Sequence, residues 1–217
     1  MKILLLSMFL CLVAISAQAR GTIILLVDIS SSITAEQMEL QMNSYATAMS
    51  GIPSLRNVNI EVVEFATKPA LIYSGDSDGA ALAFANYKRT GPWRHGSTCL
   101  GKALTLIETM IPKLPQPVIL DISGDGEANC TTHESIMQSL DNMAAQGVRV
   151  NTLYIANQSG ISNDVLQVNP LAASENSNYK FFESLTRNHG FTMQADNFFD
   201  FELALFDKLI LEISMLK

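Results

Sequence analysis

Apolar runs and amphipathic stretches alternate along this chain. Ile23–Val27, Val118–Ile122 and Val148–Ile155 are the most apolar runs, as befits strands covered on both faces. Asn59–Phe65, Ala70–Tyr73 and Phe191–Gln194 bring the strand-like runs to six. Between them, residues 34–50 place Met38, Met42, Tyr45, Ala46 and Met49 on one helical face, and Thr34 and Gln37 have the spacing of a capping box. Residues 99–111 carry Leu100, Leu104, Ile107 and Ile111 at helical spacing. Residues 198–215 carry Phe198, Phe201, Leu205, Leu209 and Ile213 as one stripe. Residues 77–88, 132–146 and 176–188 supply three more helices. Thr131 and Glu134 open the second of these, and Gly147 stops it.

Strands alternating with helices of this length predict an α/β fold, doubly wound, with a mainly parallel central sheet of about six strands and helices on both faces. Only Ala66–Pro69 separates the second run from the third. That is too short for a parallel crossover, so one edge strand is expected to be antiparallel.

The N-terminus changes the picture of where the protein works. Lys2, the apolar run Ile3–Ile15 and Ala17-Gln18-Ala19 have the layout of a secretory signal. Residues 1–19 are expected to be cleaved and residues 20–217 to form one domain, exported to the periplasm or beyond. The run is short for a membrane span, and the charges of the C-terminal stripe argue against a span there. The whole chain has net charge −7, and loss of Lys2 makes it more acidic. Such a surface disfavours nucleic acid as a partner. Two cysteines remain, Cys99 and Cys130, and in an exported chain they are candidates for one disulfide.

In open α/β sheets, ligands bind beyond the carboxyl ends of the strands. Asp28-Ile29-Ser30-Ser31-Ser32 follows the first run, and Ser123-Gly124-Asp125-Gly126 follows the fourth. Gly96-Ser97-Thr98 immediately precedes a helix, where Thr98 is a candidate N-cap or oxygen donor. Oxygen-only side chains gathered at one place suit a hard divalent cation rather than zinc or copper.

These three segments, in this order, resemble the von Willebrand factor type A domain with a metal-ion-dependent adhesion site. Residues 28–32 (D-I-S-S-S) resemble its first loop, residues 96–104 (G-S-T-C-L-G-K-A-L) its second and residues 123–127 (S-G-D-G-E) its third. The S-G-D-G form and F-F-D-F-E-L-A-L near the end are most similar to a secreted bacterial subgroup. The resemblance implies that Ser30 and Ser32 bind the cation through their hydroxyls, and that Thr98 binds directly or through water. It implies that Asp28 and Asp125 act through water or by holding the serines. The implied cation is Mg²⁺, with Mn²⁺ or Ca²⁺ as alternatives. An Asp or Glu carboxylate of a partner protein would take the open position.

Trp93, Arg94 and His95 precede the second loop and are candidates for a partner-contact rim. Asp121 falls inside the fourth run, where neighbouring backbone groups are its expected partners. The leading expectation is a binding module without bond chemistry. The alternative is a metal-dependent hydrolase, for which His95 and Glu127 are the nearby proton-transfer candidates. The chain has no complete G-x-x-x-x-G-K-[ST] phosphate loop and no H-E-x-x-H to support it.

Overall fold

The computed structural model describes residues 19–88, 96–126, 128–156 and 177–216. The six expected strands are present as β1 (Thr22–Asp28), β2 (Asn59–Phe65), β3 (Pro69–Gly75), β4 (Val118–Gly124), β5 (Arg149–Ile155) and β6 (Thr192–Ala195). They form one sheet in the order β3-β2-β1-β4-β5-β6. All neighbours are parallel except β2 and β3, which pair antiparallel with a register shift between Val62 and Val63.

β1 lies between β2 and β4. Leu26 aligns with both Val63 and Ile122, and Val27 with both Glu64 and Ser123. The chain builds one side of the sheet through β2 and β3, then returns past β1 to build the other from β4. The carboxyl ends of β1 and β4 therefore flank a topological switch point, where neighbouring connections diverge and leave a crevice.

Side chains of β1 alternate between two cores, because successive strand residues face opposite sides. Ile23, Leu25 and Val27 pack with α1 (Ala35–Gly51), α2 (Ser77–Ala85) and the C-terminal helix. Ile24 and Leu26 pack with α3 (Leu100–Met110), α4 (His133–Ala145) and α5 (Ser177–Ser184). The C-terminal helix is α6 (Phe201–Met215); its stripe Phe201, Leu205, Leu209 and Ile213 is buried, as is Phe198 in the turn before it.

Several element ends differ from the sequence reading. The Thr34–Gln37 capping box opens α1 as expected. Thr132, rather than Thr131, caps α4 by accepting from the Ser135 N–H. Thr131 instead accepts from the Gly101 N–H in the first turn of α3. The helix expected over 176–188 stops at Ser184. Asn188 and His189 adopt left-handed φ values of 53° and 61°, and the Asn188 amide donates to the carbonyls of Ala144 and Val148. These bonds tie the turn to the end of α4, against which continued helix would compete.

Asp121 does not bind neighbouring backbone. It meets Lys208 of α6 in the core, together with Glu212. A lysine and a glutamate on a buried helical face were not anticipated, since such residues are rarely fully buried unless paired.

Gly190 follows the left-handed turn at the closest backbone approach. A Cβ there would lie 1.8 Å from the Val150 carbonyl oxygen, which the β5 backbone holds in place. Gly190→Ala is expected to lower stability by about 2–3 kcal/mol. Gly126→Ala, where nothing lies within 4 Å of the added carbon, should stay within about 0.5 kcal/mol of wild type. Urea unfolding midpoints of the two variants check this contrast.

Candidate cation site at the sheet switch point

The first loop is shaped by its own aspartate. Asp28, buried at the end of β1, accepts a 2.7 Å hydrogen bond at Oδ1 from the Ser30 N–H. That bond turns the chain and brings the Ser30 and Ser32 hydroxyls to 3.0 Å from each other. Ile33 is buried in the core beside α1, so the loop is anchored at both ends. The Ser31 N–H donates to the Gly96 carbonyl, joining the first loop to the second.

The third loop meets the first across the switch point. The Ser32 hydroxyl donates to Asp125 Oδ1 at 2.7 Å, over 93 residues of sequence. Gly124 permits the approach. A Cβ at this position would lie 3.0 Å from Asp28 Oδ2, 3.1 Å from Asp28 Cβ and 3.2 Å from the Phe182 ring. Below it, the Ser123 hydroxyl bonds the Tyr45 phenol at 2.8 Å, in the core beneath α1. Burial, and then the charge of Asp121, hold the Tyr45 phenol well above its ordinary pKa, so it stays protonated.

The second loop is tied to the third. The Thr98 N–H donates to Asn129 Oδ1 at 3.0 Å, and the Asn129 N–H donates to the Thr98 carbonyl at 3.1 Å. Cys99 and Cys130 form a disulfide with Cα atoms 5.1 Å apart. Thr98 is not the N-cap of α3; Cys99 is, and its side chain makes no capping bond. Both Thr98 and Asp125 are buried.

Asp28, Ser30, Ser32 and Asp125 thus form one bonded cluster; the Gly96 carbonyl joins the second loop to it through Ser31, and Asn129 holds the Thr98 backbone. Trp93, Arg94, His95 and Glu127 lie outside the described residues. Asn129 escaped the sequence reading as a positioning group, because a side-chain amide that pairs with a distant backbone leaves no local pattern. Among the described residues, no group of three or more His, Cys, Asp or Glu side chains could hold a metal. A cation here would depend on hydroxyls. The donor set fits one: adjacent oxygens of an octahedral shell with bonds of about 2.0–2.1 Å lie about 2.9 Å apart, close to the 3.0 Å between Ser30 and Ser32.

The disulfide spans 31 residues of sequence. Its loss is expected to cost about 3–4 kcal/mol by the chain-entropy relation. Urea unfolding of the Cys99→Ser, Cys130→Ser double variant against wild type, with circular dichroism confirming that the sheet survives, measures this.

Comparison with known proteins places this geometry in a wider group. No curated protein sequence matches the chain. Among solved structures, proximal thread matrix protein 1 from the mussel byssus, with a zinc-occupied MIDAS motif, is 16% identical with a TM-score of 0.64. That match covers 91% of this chain and 48% of the byssus protein, so the chain spans about half of that relative. The von Willebrand factor type A protein of Catenulispora acidiphila is 13% identical with a TM-score of 0.62, covering 91% of this chain and 43% of that one. Manganese-loaded TRAP of Plasmodium vivax is 16% identical with a TM-score of 0.56, covering 92% and 73%. At these identities the likeness establishes the fold, which is that of the von Willebrand factor type A domain. The family model described as "Protein of unknown function (DUF1194)" matches residues 71–217, and the chain belongs to that family.

Proposed function

We propose that this protein is an exported binding module that holds a divalent cation at a metal-ion-dependent adhesion site and captures an acidic group of another protein. The observation that carries this reading is the Ser32–Asp125 hydrogen bond. It draws the first and third loops together at the switch point and leaves the Ser30 hydroxyl beside them.

Ser30, Ser32 and Thr98 supply neutral oxygens to the cation, and Asp28 and Asp125 hold the serines or the waters around it. Neutral ligands leave the ion strongly positive, so it attracts an anionic oxygen in a partly dry crevice. Mg²⁺ suits such ligands, and Mn²⁺ or Ca²⁺ shares the preference for oxygen. Zinc in the MIDAS motif of the byssus protein and manganese in TRAP support a divalent ion in this fold. Export rests on the N-terminal pattern of Lys2, Ile3–Ile15 and Ala17-Gln18-Ala19. No helix among the described residues is long and apolar enough to cross a membrane.

The proton-transfer candidates of the hydrolase alternative, His95 and Glu127, lie outside the described residues.

Isothermal titration of the metal-free protein with Mg²⁺ tests the site. Wild type is expected to bind one ion, and the Asp28→Ala, Ser30→Ala double variant is expected to bind at least about tenfold more weakly, since one lost ligand is worth more than about 1.4 kcal/mol. Saturating Mg²⁺, at about 100 times its Kd, should stabilise wild type by about 2.7 kcal/mol. A flat titration for wild type, or equal binding by the folded double variant, overturns the reading.

A further inference from the structure

The polar cluster between β4 and α6 is explained neither by the fold nor by the cation site. Lys208, Asp121 and Glu212 are each 0% exposed. Lys208 Nζ lies 2.5 Å from Asp121 Oδ1 and 2.6 Å from Glu212 Oε1. Asn151 Nδ2 donates to the same Glu212 oxygen at 2.9 Å, and the Phe191 ring lies 5.9 Å from Nζ. Neither oxygen of Asp121 makes a hydrogen bond of normal geometry, despite the short contact.

One lysine cannot neutralise two carboxylates. Written as ions, the cluster buries three charges and carries one net negative charge, which is costly away from water. With the same number of protons it can also be written as a neutral amine, a neutral carboxylic acid and one carboxylate. Moving a proton from Lys208 to Asp121 removes two of the buried charges. It also sets an amine nitrogen directly against a carboxyl group, with Nζ 2.5 Å from Oδ1.

We propose that Lys208 and Asp121 are joined by an intramolecular isopeptide bond, with Glu212 relaying the protons. The Lys208 Nζ lone pair attacks Cγ of protonated Asp121, and the C–N bond forms. Glu212 takes a proton from Nζ and delivers it to a Cγ oxygen. The C–O bond breaks, and that oxygen leaves as water. The products are a neutral amide, one water and Glu212 in its starting carboxylate form; nothing is oxidised or reduced.

The surroundings favour each part of this step. Burial raises the Asp121 carboxyl, favouring the acid that is attacked. Burial, then the charge of Asp121, raise Glu212 to about 7, near the best value for proton relay at neutral pH. Burial alone would push Lys208 down, but the fields of the two carboxylates hold it above its usual value. The reacting amine is thus a minor form, which makes the reaction slow but does not prevent it. Water ordinarily drives amide hydrolysis. Here the two ends are held together by β4 and α6, and effective molarities for such pairs reach about 10⁵–10⁸ M. The site is also closed to water, so the equilibrium turns toward the amide.

Intact mass spectrometry of the folded, disulfide-reduced chain tests the bond. Wild type is expected to weigh less than its sequence by one water, and proteolysis should yield a joined fragment containing Asp121 and Lys208. Lys208→Arg and Glu212→Gln are expected to show full sequence mass, and Asp121→Asn, losing ammonia instead, to fall by the mass of one ammonia. Full sequence mass for folded wild type, or a water loss that maps elsewhere, overturns the proposal.

Discussion

The position of β1 between β2 and β4 is the constraint on which the rest depends. It exists because a continuous apolar run can be covered on both faces and paired on both edges at once. With Ile23, Leu25 and Val27 in one core and Ile24 and Leu26 in the other, the strand cannot slip by one residue without exchanging its two faces. That fixed register sets Asp28 at the open end of the sheet beside Gly124. A glycine there lets carboxylate and backbone approach, and the serine hydroxyls follow from the turn that Asp28 itself imposes. The site is therefore a consequence of strand pairing, with the loops adding only its last few ångströms.

The three loops are held by different forces. The first is anchored by Ile33 in the core. The second and third are joined by a covalent bridge and by the reciprocal Thr98–Asn129 hydrogen bonds. The Ser32–Asp125 and Ser31–Gly96 bonds connect the first loop to the other two. A cation bound there would be shared by a rigid pair and a separately anchored partner. Its affinity would then depend on how well the two bodies are aligned.

The strand runs, the antiparallel β2–β3 pair and the stripe of α6 were legible because each is a periodic pattern over many residues. That Asp28, Ser30, Ser32 and Asp125 meet was legible because they lie in short segments directly after apolar runs. Thr131 and Thr132 were confused because adjacent threonines satisfy the same pattern, and only the Ser135 N–H decides between them. Lys208 and Glu212 were not anticipated as buried residues of α6. Their burial depends on Asp121 and Asn151, which lie far away in sequence, and no local window contains that pairing. The expected roles of Trp93, Arg94 and His95 fall outside the described residues.

The sheet has two outer edges, β3 and β6. An uncovered edge offers unpaired amides to any passing chain and invites stacking into aggregates. β6 has only four residues, too few for a long template. β3 is longer, but it opens with Pro69, which has no amide hydrogen to give, and its pairing with β2 shifts at Val62 and Val63. Both edges are thus blunted by their own backbone, which makes either margin a poor template for a second copy of the sheet.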